Sequence, residues 1–235
     1  MKRETENALL LLVGVCTAII TATGAYTRYV KPSLLPWLVA SAVLLIGLAL
    51  VSIVRDIRSG PQEHGDHAHH SGVLWLLIVP VALLGFVVPP AIGPLTARPA
   101  VVEVSTDVLR RPFPPLPDER APELALPEVL IRVAQDSAGT LDDKLVSVIG
   151  FTIHDEGRVD LGRVVILCCA ADAQLARMVL DGPAAHAAAR LPDGTWVRVE
   201  GTVPTGQADS SRRTVPRMQV TSVTEIEPPD LPYSY

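Results

Sequence analysis

Three stretches of the chain, residues 8–26, 34–54 and 73–92, contain no Asp, Glu, Lys or Arg, and each is close to the length that crosses roughly 30 Å of hydrocarbon. Lipid offers no partner for a free N–H or C=O, so such runs satisfy their main chain as helix. They predict three membrane spans within residues 1–92. The first run follows Lys2 and Arg3, but Glu4 and Glu6 weaken a basic leader, and the apolar part outruns the hydrophobic region of an ordinary signal peptide. A retained helix is therefore expected rather than a cleaved one. Tyr26, Tyr29 and Trp37 bracket the first short connection and Trp75 opens the third run, as amphipathic rings do at a membrane interface.

Charge separates this region from the rest. Residues 1–92 carry six basic and five acidic side chains, whereas residues 93–235 carry fourteen and twenty, net −6. Affinity for nucleic acid comes mainly from Lys and Arg on phosphates, so nucleic acid drops out as a partner. Lys2, Arg3, Arg55 and Arg58 outnumber Arg28, Lys31 and Arg98. Basic residues favour the cytoplasmic side, which predicts a multi-pass cell-membrane protein in contact with lipid. Its N-terminus and the loop after Arg58 lie in the cytoplasm, with everything beyond residue 92 outside. Three cysteines exclude a multi-bridge disulfide framework and a four-thiolate zinc site.

Residues 93–126 read as a linker. Pro112, Pro114, Pro115, Pro117 and Pro122 favour extended polyproline-like chain. In residues 127–235, Pro127 opens a short helix over 128–135. Strands rich in Val, Ile and Thr follow at 145–154, 162–170, 174–181, 195–203 and 215–226, with a helical turn or two at 184–190. That order predicts an all-β, OB-like five-strand barrel with short helices.

Several groups of residues carry chemistry. The loop at 63–70, "EHGDHAHH", gathers His64, His67, His69 and His70 beside Glu63 and Asp66. Imidazoles with carboxylates bind zinc, copper or nickel, so the tract predicts transient capture of a divalent metal, zinc among them; a solvated loop with no such duty accounts for the same composition. Cys168 and Cys169 precede Asp172. In a strand their side chains would point to opposite faces, which leaves three roles open: packing, metal contact by an outward thiol with Asp172 and His154, or a redox pair. Gly14, Ala18 and Ala22 share one helical face, where a partner helix or a neighbouring span can approach closely. Trp196 is expected in the core or at its mouth. No nucleophile elbow, phosphate loop, HExxH or Walker pattern is present, and the chain is not expected to be an enzyme.

The apolar spans, the His-bearing loop, "GFTIHDEGRVD", "VILCCAADA", "TWVRVEGTV" and the terminal "PPDLPYSY" resemble the YcgQ-like bacterial membrane proteins, described as subunits of a two-component permease. The likeness covers essentially the whole chain, and "CCAADA" and "PYSY" are its most specific parts. It implies a polytopic permease-like partner, a link to zinc homeostasis and an extracytoplasmic C-terminal domain. With no ionisable residue inside the spans to carry an ion, the expectation is an accessory, non-enzymatic subunit that docks a permease and presents its soluble domain to a divalent metal. The alternative is a membrane-tethered thiol protein that exchanges disulfides through Cys168 and Cys169.

Overall fold

The computed structural model describes residues 3–58, 92–93, 100–101, 111–155, 157–204, 206–207 and 215–235. Its contacts divide the chain into two units, Met1–Ala91 and Ile92–Tyr235.

In the first unit, helix α1 (Arg3–Ala22) and helix α2 (Leu35–Arg58) are joined by two short 3-10 turns. The chain leaves α1 at Gly24, whose φ of 75° lies in the left-handed region that glycine tolerates best. Packing between the helices runs through small residues. Gly14 sits against Ile46 so closely that a Cβ would lie 2.8 Å from Ile46 Cγ1, and Ala42 and Ala49 of α2 are buried. Near the other end of the pair, Asn7 Nδ2 donates to Asp56 Oδ2 at 2.9 Å.

Among its described residues the second unit has eight strands: β1 (Ala100–Val101), β2 (Glu123–Leu124), β3 (Leu145–Asp155), β4 (Arg158–Val165), β5 (Gln174–Asp181), β6 (Trp196–Thr202), β7 (Arg217–Glu225) and β8 (Tyr233–Ser234). Helix α3 (Leu126–Gln135) precedes β3, and helix α4 (Ala185–Ala188) lies between β5 and β6. The sheet path runs through seven strands, β1-β5-β7-β6-β3-β4-β8, with β2 attached to β3. Antiparallel pairings join β3 to β4, β4 to β5, β6 to β7 and β3 to β6, while β5 and β7 run parallel. The two-residue strands β1, β2 and β8 all add in parallel.

The expectation of three spans with a five-strand OB-like barrel is corrected on both counts. Among the described residues one helix, Pro32–Arg58, is long and apolar enough to cross a membrane. The apolar part of α1, Glu6–Ala22, is shorter, because charge at one end and the Gly24 break at the other confine it. The third apolar run lies outside the described residues except for Ile92. As for the β unit, it forms a mixed sheet with more strands than five. The segments that add to it are two residues long, too short to show alternation, and they come from stretches whose prolines read as linker or tail.

A continuous core fills this unit. Leu126, Val129 and Leu130 recur at helical spacing on α3 and join Val146, Val148, Leu161, Met178, Val197, Val199 and Met218 from the strands. Arg132, on the same helix, is buried too. It donates to Glu128 Oε1 at 2.8 Å, Thr140 Oγ1 at 2.7 Å and the Pro114 carbonyl at 2.9 Å, and it lies over the Phe113 ring. Part of the expected linker is therefore built into the fold, since Leu116 also packs on the core and the Ser147 amide donates to the Pro122 carbonyl.

At Gly150 the hairpin partner approaches so closely that a Cβ would sit 2.5 Å from the Gly162 carbonyl oxygen and 2.8 Å from Leu161 Cγ. Backbone cannot yield there as a flexible side chain would. Gly150→Ala is expected to destabilise the protein by about 1 to 3 kcal/mol, the usual cost of overpacking. Thermal unfolding of the solubilised chain measures it, and an unchanged midpoint would mean that the strands have room.

Candidate functional site

The site is built where β4 ends. Val164 and Val165 pair with Tyr233 and Ser234 of β8, and the Ile166 amide donates to the Ser234 carbonyl at 3.0 Å. Past that point Asp172 takes over the main chain. Its Oδ1 accepts the Leu167 amide at 2.9 Å, and its Oδ2 accepts those of Cys168 at 2.8 Å and Cys169 at 3.3 Å. A short 3-10 helix, Ala170–Asp172, closes the loop, with Cys169 as its N-cap and the Asp172 amide bonded back to the Cys169 side chain. Three amides turned onto one carboxylate leave no strand geometry to separate the two thiols. Cys168 Sγ, Cys169 Sγ and a carboxylate oxygen of Asp172 consequently lie within 4.8 Å of one another.

Strand alternation, read over 162–170, had placed the thiols on opposite faces. The strand instead spans Arg158–Val165, starting directly after the Gly157 turn and stopping before the cysteines. Cys168 is exposed, Cys169 half-buried, and both are free thiols. Leu167 beside them is 64% exposed. Through the β4–β8 pairing the terminal "PYSY" lies along the strand that leads into "CCAADA", although 58 residues separate the two segments in the chain.

The electrostatics of the loop are lopsided. Asp172 is held down to about 2, first by the hydrogen bond from the Cys168 thiol and then by the three amides. Cys168 is pushed up to about 11, first by its bond to Asp172 and next by Cys169. Near neutral pH the loop therefore holds a carboxylate and a protonated thiol, and a protonated thiol is a poor nucleophile.

The remaining sequence-predicted residues fall elsewhere. His154 does not join the thiols: its Nδ1 meets Asp193 Oδ1 at 2.6 Å, its Nε2 meets the Ala189 carbonyl at 3.1 Å, and its amide also donates to Asp193. Gly14 is buried inside the α1–α2 pair, Ala18 is half-buried, and Ala22 is exposed. His64, His67, His69 and His70 lie outside the described residues. Trp196 is buried edge-to-face against Phe151, their centroids 5.5 Å apart. Over its ring, at 4.7 Å, lies the guanidinium of Arg163.

Sequence reasoning missed Arg163. It is buried, and its Nη2 donates to the carbonyls of Leu231 at 2.9 Å and Tyr233 at 3.3 Å. It thus ties the C-terminal segment down beside the thiol loop. The signal was a single charge inside the apolar run "LGRVVIL".

An N-terminal apolar helix of membrane-crossing length, which fits a membrane anchor or a signal sequence, precedes a mixed-sheet unit that carries an exposed thiol–carboxylate loop. The chain belongs to the DUF1980 family: residues 7–96 match the DUF1980 N-terminal domain and residues 130–235 the DUF1980 C-terminal domain, in keeping with the YcgQ-like resemblance. No curated protein and no solved structure matches the chain.

The His154–Asp193 pair predicts a pH dependence. The hydrogen bond that the His154 ring donates to Asp193 raises the His154 pKa above its ordinary value, and the Ala189 carbonyl adds to it. Stability from this pair is present in full below the unfolded imidazole pKa of about 6.5 and is lost as pH rises through the raised folded value. Asp193→Asn is expected to lower the melting temperature more at about pH 5.5 than at about pH 8.5. In an NMR titration the His154 ring should shift back toward its ordinary pKa in the variant. Equal losses at both pH values would show that the pair carries no charge-dependent stability.

Proposed function

We propose that the protein is an accessory, non-enzymatic subunit of a membrane permease complex whose cargo is a divalent metal such as zinc. The observation that carries this reading is α2. It is 24 residues long, about 36 Å at 1.5 Å per residue, and it has no ionisable side chain before Arg55. Such a helix holds a protein in lipid but offers no step for an ion to cross. Trp37, Val43, Leu44, Leu48 and Val51 stay exposed on it, leaving apolar surface for lipid and for a polytopic partner. The YcgQ-like resemblance supports a partner of the permease type.

The sheet unit is assigned to the extracytoplasmic side on the family resemblance. Arg28 and Lys31 ahead of α2 balance Arg55 and Arg58 behind it, so basic residues alone give this helix no direction.

Proteoliposomes holding this chain alone are expected to show no flux of zinc, and purification in mild detergent is expected to bring a polytopic membrane protein with it in fixed ratio. Robust flux without a second protein would overturn the accessory role. For sidedness, Glu227→Cys placed in a background with Cys16, Cys168 and Cys169 replaced by Ala should react with an impermeant maleimide on intact cells. Reaction only after the cells are opened would place the sheet unit in the cytoplasm.

A further inference from the structure

We infer that Cys168, Cys169 and Asp172 together form a binding site for one thiophilic divalent cation, with zinc as its natural occupant and a fourth coordination position left open to solvent or to a partner. This deepens the permease reading by giving the cargo a place to land, and it is testable without a partner.

The argument begins with the donor set. Two sulfurs and one carboxylate oxygen match the ligands that zinc takes, and three protein ligands with an open fourth position mark sites that exchange or transfer rather than closed structural ones. Free cysteine is among the most buried of residue types, yet Cys168 is exposed with Cys169 half-buried beside it. Packing accounts for neither position.

Geometry comes next. Tetrahedral zinc with Zn–S bonds of about 2.3 Å spaces its sulfurs about 3.8 Å apart. The three donor atoms already lie within 4.8 Å of one another.

The frame around the donors is built to stay. The Asp172 carboxylate is aimed by the amides of Leu167, Cys168 and Cys169, which act as an outer shell that orients the ligand. Since Oδ1 accepts one amide and Oδ2 two, Oδ1 keeps a lone pair for the ion. On binding, each thiol gives its proton to solvent and its sulfur bonds the metal; no electron changes hands and no oxidant is required. Leu167, next to the thiols in the chain, is exposed as well.

The test uses the full chain in detergent micelles with Cys16→Ala and with His64, His67, His69 and His70 all replaced by Asn, so that neither the helix thiol nor the loop contributes. Cadmium, a spectroscopic stand-in for zinc, reports thiolate ligation by a sulfur-to-metal charge-transfer band in the ultraviolet. One equivalent should saturate the band, and zinc should displace it. Cys168→Ala and Cys169→Ala should each lose about half of the band and bind more than about 10-fold more weakly, since even outer-shell losses cost 10- to 100-fold.

Asp172→Asn should keep the band while weakening affinity by a similar factor, and its melting temperature tells a lost ligand from a lost loop. Absence of the band in the parent chain, or Ala variants that bind as the parent does, would overturn the site. Rapid loss of both thiols to a disulfide under air, with no metal bound, would replace it with a redox pair. Because no partner is present, failure here leaves the permease reading standing, and failure of the flux or co-purification experiment leaves this site standing.

Discussion

Main-chain hydrogen bonding between strands governs the second unit. Each of the five longer strands pairs with two others among them, so the path β3-β4-β5-β7-β6 returns to β3. Buried amides and carbonyls must find partners, and this pairing gives each of the five strands a neighbour on two sides over part of its length. It also limits where the chain can go. At its end β4 is held by β5 on one side and β8 on the other, so the connection to β5 has to turn away from the sheet. Asp172 makes that turn, and the two thiols are brought together as a by-product of ending a strand.

Charged groups inside this unit follow the same logic in part, although Asp160 Oδ1 and Arg163 Nη1 are buried without a hydrogen-bond partner. Asp160 has no exposed side chain and meets Arg177 Nη2 at 2.5 Å; burial raises its pKa and Arg177 opposes the rise. Arg132 is spent on Glu128, Thr140 and the Pro114 carbonyl, and Arg163 on the C-terminal segment. Perturbed acids and bases often mark catalytic sites. Here the partners are main-chain carbonyls and structural counter-ions, and their work is to fasten segments of low intrinsic order to the sheet.

Much of the element order was legible because β-branched residues and turn residues alternate clearly. Strands β3, β5, β6 and β7 and helix α3 lie within about two residues of the expected ranges, the usual uncertainty of helix and strand ends. β4 was misplaced because its first half holds Arg158 and Asp160, which looked like turn chemistry, and because "VILCC" looked like continuing strand. Nothing local in that run reveals that Asp172, up to five residues downstream, captures its amides. The strands that overturn the five-strand expectation are two residues long, below the length at which a pattern exists. Gly14 was recognised as a close-approach residue, but its neighbour Ile46 is a fact of tertiary packing that the spacing of small residues does not disclose.

The hydroxyl of Tyr233 accepts the amide of Ile92 at 2.7 Å, the first residue of the second unit. Tyr233 belongs to β8, which lies along Val164 and Val165, and the next amide, that of Ile166, is bonded to Ser234. The side chain that fixes Ile92 therefore stands on the same two-residue strand that pairs with the end of β4 just ahead of Leu167 and Cys168, so the entry to the unit and the base of its thiol loop share one short piece of structure.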